Sequence, residues 1–166
     1  MVIQILRVLL RSLPEGWKIL MTASTHNGEH KDMWLVVASY SFFFAAVDNV
    51  LERFVALNKQ ENLLQEEKIL RVSTDHSKVN KALQAYTVDA RVGGDMNENN
   101  ALVRKAQARV KAAVIVFTTC AGAGLGLLRK IDFDVVLIDE ASQITEPCAL
   151  ITLVKGCRKA VLVGDQ

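Results

Sequence analysis

Three cysteines are all that this 166-residue sequence contains, and they stand apart. Cys120, Cys148 and Cys157 form no C-x-x-C pair and are odd in number, which argues against a disulfide framework or a cysteine zinc site. They read as reduced thiols of a nuclear or cytoplasmic protein, serving as small core side chains. A hydrophobic run long enough for a membrane is also missing. The most apolar window, Met33 to Val47, lies between Asp32 and Asp48 and falls short of the roughly 18 to 20 residues a spanning helix needs. The opening MVIQILRVLLRSL is interrupted by Arg7 and Arg11 and is followed by no small-residue cleavage site, so it does not read as a signal peptide. No excess of one charge exists either. Lys and Arg number 20 against 18 acidic residues, a net charge of +2, so any contact with an acidic polymer must be a local patch. His26 and His30 flank Glu29, but HNGEH is not H-E-x-x-H and holds a glycine, which removes the metalloprotease reading.

What is present is apolar mass: 51% of the residues are hydrophobic, enough for one proper core and a single globular domain. The hydrophobic period changes repeatedly between helix and strand. Val2 to Leu13 predicts a helix buried except for one narrow wet stripe at Gln4, Arg7 and Arg11, and Pro14 to Gly16 end it. KILMTAS, Lys18 to Ser24, predicts a buried strand opening into polar residues at its C-terminal end. Val47, Val50, Leu51, Phe54 and Val55 recur at helical spacing, and ILRVS, Ile69 to Ser73, is a further strand candidate. Residues 74 to 113 are polar and mostly helical in pattern, with a turn at Gly93 and Gly94. AVIVFTT, DVVLID and AVLVGD are three more apolar strands that each end in a polar residue. Helices alternating with buried strands predict a parallel sheet covered on both faces, with ligands beyond the carboxyl ends of its strands.

That geometry gives meaning to VVLIDEASQ, Val135 to Gln143, in which an apolar strand ends in two carboxylates. At the carboxyl edge Asp139 can offer oxygen to a hard cation, while Glu140, pointing the other way, can orient or deprotonate a water. On its own the pair fits a helix N-cap cluster with an acidic first turn equally well. AVLVGD, ending in Asp165 at the same predicted edge, favours the site.

These residues carry a resemblance. DEASQ at Asp139 to Gln143, TEP at Thr145 to Pro147 and LVGDQ at Leu162 to Gln166 resemble motifs II and III of superfamily 1 helicases, in the group that includes senataxin and the nonsense-mediated decay helicase. TTCAGAG, Thr118 to Gly124, resembles the segment those enzymes carry before motif II, and TASTHN, Thr22 to Asn27, resembles motif Ia. The resemblance implies an α/β, RecA-like P-loop NTPase fold, a parallel sheet with helices on both faces, incomplete here at both ends. It implies ATP and Mg²⁺ as cofactors, with Asp139 on the metal and Glu140 as catalytic base. Gln143, Gly164 and Asp165 would form part of the nucleotide site, Gln143 and Asp165 coupling its state to a second RecA-like domain. Ser24, Thr25 and Asn27, with Thr118 and Thr119, would line a groove for single-stranded RNA or DNA. Hydroxyls at strand ends also commonly satisfy only local backbone groups.

Departures from the pattern matter as much. No G-K-[ST] occurs anywhere, and the Walker loop expected just before a helix like Val2 to Leu13 is absent, while the sequence stops inside motif III. GAGLG, Gly122 to Gly126, reads only as a tight strand exit, and DMNENN, Asp95 to Asn100, as a solvated turn, since a calcium loop would need Gly at Asn100 and Glu at Ala106. Arg104, Lys105, Arg109 and Lys111 make a basic helix that reads first as a solvated face. The family passes from its motif Ia Asn almost directly into Ala-Val-Asp, whereas residues 28–45 intervene here. Gly28-Glu29-His30 can be coded with a splice donor and Ala45-Ala46 with an acceptor, so the insertion reads as a retained intron, against a genuine inserted hairpin or helix. Residues 74–113 match a helical insertion that varies in the family. The expectation is a partial first RecA-like domain, 1–166, of an ATP-dependent helicase, inactive as an isolated chain and without a membrane. The competing readings are a non-catalytic nucleic-acid-binding module and a pseudogene-like product with no stable fold.

Overall fold

The computed structural model describes residues 1–23, 35–94, 100–124 and 126–164, with side chains left out at 35–45 and at position 76. In chain order these form α1 (Val2–Ser12), β1 (Ile19–Ala23), α2 (Leu35–Glu61), β2 (Ile69–Arg71), α3 (Val88–Val92), α4 (Asn100–Ala112), β3 (Ile115–Thr119), α5 (Cys120–Ala123), β4 (Val135–Asp139), α6 (Glu146–Leu153) and β5 (Lys159–Leu162). Short 3₁₀ segments join several of them, the longest at Lys81–Tyr86.

All five strands are parallel, in the order β2-β3-β1-β4-β5. Side chains alternate between two cores, as a two-residue period requires. Ile19, Met21, Ile115, Phe117, Val135 and Leu137 face α1 and α2. Leu20, Val116, Val136 and Ile138 face α3, α4, α5 and α6. β1 is buried at all five positions, which is why its sequence is continuously apolar instead of alternating. The covered parallel sheet is thus as the spacing predicts. β5 is the exception, an edge strand whose Lys159, Ala160 and Leu162 are exposed.

Local chemistry sets the boundaries. Thr87 caps α3 by accepting from the Ala90 amide at 3.3 Å, and Gly93 ends that helix with φ of 82°, a left-handed turn that glycine adopts without a Cβ penalty. Pro147 enters α6 in its first turn, where a missing N–H costs nothing. GAGLG is not a bare strand exit: its beginning belongs to the one-turn helix α5, which the Thr119 hydroxyl caps from the end of β3.

The expectation for α1 needs correction. Only Val2 and Leu6 are fully buried, and Val8 is 62% exposed. The helix leans on α2 along one side, so its apolar residues outnumber the core positions available. Its basic stripe is not merely wet. Arg7 and Arg11 both reach Glu61 at the end of α2, at 2.8 and 2.9 Å. Among residues 28–45, positions 28–34 lie outside the described residues, and 35–45 are helical backbone continuous with the rest of α2.

Candidate functional site at the carboxyl edge of the sheet

Strand register builds the site. Ala23 of β1 pairs with Thr119 of β3 on one side and Asp139 of β4 on the other, so these three residues form one row at the carboxyl rim. Leu162 pairs with Ile138, which brings Val163 and Gly164 level with the β4 exit. The Val163 amide donates to Ile138 at 2.9 Å and the Ala141 amide donates to Val163 at 2.8 Å, locking the two exits together. Gly164 lies so close to this turn that a Cβ would stand 2.9 Å from the Ser142 amide nitrogen. Only glycine fits there without movement.

Glu140 has φ of 53° and ψ of 39°, the left-handed region, which a non-glycine residue occupies at a cost of roughly 1–2 kcal/mol. Strain of this kind collects at functional turns. Neither carboxylate is used in capping: the 3₁₀ turn Ala141–Gln143 that follows has no side-chain cap bond. Among the described residues neither forms an ion pair. Asp139 is half-buried, and burial pushes its proton affinity up, opposed in part by the Glu140 amide, the amino terminus and Arg53. Glu140 is exposed beside it.

An open pocket of about 220 Å³ lies above the pair. Its walls are the first turn of α1 from Met1 to Ile3, Val50 and Arg53 of α2, and the β5 exit at Val163 and Gly164. The positive end of α1 and the two carboxylates therefore face one space, a combination suited to anions with an accompanying cation.

The other candidates divide. Thr118 is buried and Thr119 half-buried, and the Thr119 hydroxyl accepts from the Gly122 amide at 3.1 Å. Gln143 is exposed on the turn after Glu140, its amide donating to the Glu140 carbonyl at 2.9 Å. Ser24, Thr25, Asn27 and Asp165 lie outside the described residues, as do most of DMNENN and the histidine segment HNGEH. Thus the structure brings together Asp139, Glu140 and Gly164, with Thr119 in the same row two strands away.

Two features escaped the sequence reading. Arg53 enters the pocket wall from α2, a position that helical spacing marks only as solvent-facing. The other is a buried ion pair. Arg71, fully buried at the end of β2, donates from Nε to Asp48 Oδ1 at 2.9 Å and from Nη1 to the Val72 carbonyl at 2.8 Å, with the Phe117 carbonyl at 3.5 Å. Asp48 Oδ2 accepts from the Asn80 amide at 2.8 Å. Burial lowers the proton affinity of Arg71, and Asp48 opposes that effect. The signal was available: an arginine inside a strand buried on both faces requires a carboxylate somewhere in the fold.

Comparison with known proteins adds a second line. A family described as an AAA domain matches residues 103–166, the part that holds β3, β4 and β5. Regulator of nonsense transcripts 1 homolog of Neurospora crassa is 34% identical over 114 residues, covering 68% of this chain and 10% of that protein. ATP-dependent helicase upf1 of Schizosaccharomyces pombe is 48% identical over 56 residues, 34% of this chain and 6% of that protein. ATP-dependent helicase NAM7 of Saccharomyces cerevisiae is 46% identical over 67 residues, 39% of this chain and 7% of that protein. Family model and relatives alike bear out the resemblance to superfamily 1 helicases of the nonsense-mediated decay group. The chain spans about a tenth or less of the length of these helicase relatives. In this sequence the acidic pair thus closes a β-strand of an all-parallel α/β sheet. No described helix is long and apolar enough to cross a membrane.

Proposed function

We propose that the protein to which this chain belongs is an ATP-dependent helicase, hydrolysing ATP in the pocket above Asp139 and Glu140 and stepping along single-stranded RNA or DNA. The observation that carries this reading is the placement of two carboxylates, without an ion pair among the described residues, beside an open pocket that the first turn of α1 also lines. Mg²⁺ fits the residues present. A half-buried carboxylate whose proton affinity is raised by burial gains from a hard cation, and such a site needs only one or two carboxylates when phosphates complete it. Asp139 would hold the ion, which when bound supplies neutralisation of phosphate charge.

In this reading Glu140 accepts the proton of the attacking water. Its exposed carboxylate, on a strained backbone, follows directly on Asp139 and lines the same pocket. Catalysis here is mainly positioning and electrostatics, so a rigid turn is useful. The tight contact between Gly164 and the Ser142 amide makes the β5 exit sensitive to movement of the motif II turn. Gln143, Gly164 and Asp165 are accordingly assigned to reporting nucleotide state to a second RecA-like domain. Ser24, Thr25, Asn27 and Thr119 are assigned to the strand-binding rim, with Thr118 buried beneath it as support. Residues 74–113 are read as the variable insertion of the first domain, and 28–45 as retained intron sequence, which sequencing of the transcript tests.

The deciding experiment is ATP hydrolysis by the full-length protein with and without single-stranded RNA, beside its Glu140→Gln variant. Stimulated turnover that Glu140→Gln reduces at least a hundredfold supports the helicase reading. Strand binding without turnover in the unaltered protein would establish the non-catalytic module instead.

A further inference from the structure

The pocket above the acidic pair has one wall with no assigned role, and that wall carries a cation. Val50, Leu51 and Phe54 of α2 are buried, and the Phe54 ring packs on Phe117 at 5.5 Å, so the rotation of the helix is set by the core. Arg53 is thereby turned outward into the pocket, exposed, with no ion pair or hydrogen bond among the described residues. Its field reaches Asp139.

A cation in the wall of the pocket that a metal-binding carboxylate also lines poses a problem. A divalent ion on Asp139 and a guanidinium sharing the same small space repel each other, unless an anion lies between them. A phosphate group resolves this, with oxygens to the metal on one side and to the guanidinium on the other. Arginine suits the task better than lysine, because its planar fork meets two phosphate oxygens at once.

We propose that Arg53 is a phosphate-binding residue of the pocket, holding the phosphate chain of a nucleoside di- or triphosphate on the side opposite Asp139 and Glu140. This rests on reading that pair as the nucleotide site. It also gives α2 a double attachment, since Asp48, one and a half turns earlier, is anchored to Arg71 at the end of β2. The helix that presents Arg53 is thus tied to the strand end beside Thr118 and Thr119.

The test uses the full-length protein and measures equilibrium binding of Mg²⁺ with ADP, with a non-hydrolysable ATP analogue and with AMP. Arg53→Gln is expected to weaken the ADP and ATP-analogue complexes tenfold or more, the range of a lost charge-assisted bond, and to flatten their salt dependence. AMP binding stays within twofold. Arg53→Lys recovers part of the loss, and all three proteins melt together, since the side chain is exposed. The proposal is overturned if Arg53→Gln binds the ATP analogue as tightly as the unaltered protein while Asp139→Asn has lost Mg²⁺-dependent binding. It is equally overturned if Arg53→Gln lowers the melting temperature but no affinity, which would make Arg53 a structural counter-charge. If the unaltered protein binds no Mg²⁺-nucleotide, the reading of the acidic pair fails first and this one with it.

Discussion

Replacing Asp48 with alanine would leave the guanidinium of Arg71 at zero exposure without its carboxylate. The Nε contact at 2.9 Å is lost, and the Asn80 amide loses its acceptor at 2.8 Å. Removing one partner of such a pair typically costs about 3–5 kcal/mol, because the remaining charge can neither be solvated nor leave. A domain of this size holds only about 5–15 kcal/mol in total, so Asp48→Ala consumes a large share. With a urea slope of about 2 kcal/mol per molar, a loss of about 4 kcal/mol moves the unfolding midpoint down by about 2 M. The double variant Asp48→Ala with Arg71→Met separates the causes. Once the charge is gone the cavity can be filled by an apolar chain, and most of the stability returns. Chemical unfolding of all four proteins gives the coupling energy, expected to exceed about 2 kcal/mol. A loss below about 1 kcal/mol for Asp48→Ala, or a double variant as unstable as the two singles added, would refute the reasoning.

Other expectations follow from the site. Glu140→Gly relieves a left-handed φ worth roughly 1–2 kcal/mol against an entropy cost of roughly 0.5–1 kcal/mol, so the chain gains about 0.5–1 kcal/mol in urea unfolding while the full-length protein loses ATPase activity. Gly164→Ala drives a methyl against the Ser142 amide and is expected to destabilise by about 1–3 kcal/mol; an unchanged melting curve would show that the turn yields freely. Burial raises the proton affinity of Asp139, so without Mg²⁺ its contribution favours folding at low pH and is lost as pH rises through the range just above the ordinary carboxylate value. Melting temperatures across that range should lose this slope in Asp139→Asn. The Cys120 thiol is pushed up to about 11 by burial, so iodoacetamide at neutral pH should label Cys148 and Cys157 first, as peptide mass spectrometry reads directly.

Particular elements show how far the one-dimensional pattern reaches. The five strands, their parallel pairing and the helices on both faces follow from apolar runs of strand length separated by helical periods, because period is a local property of side-chain placement. Asp139 at a carboxyl rim followed from the same logic. The exposed flank of α1 did not, since amphipathic pattern states which residues are apolar and not how many core positions a neighbouring helix leaves open. Arg53 in the pocket wall was equally out of reach, while Arg71 inside an apolar strand announced a buried carboxylate partner without saying that it is Asp48.

Sequence alone therefore determined the element types, the covered parallel sheet and the acidic strand end, all of which depend on residues within a few positions of one another. Tertiary structure decided the strand order, the left-handed backbone at Glu140, the fit of Gly164 against Ser142 and the guanidinium in the pocket wall. Each of these depends on contacts between segments far apart in the chain or on a backbone angle that such contacts hold in place. Such contacts are settled only when burial of both sheet faces has fixed every element against its neighbours.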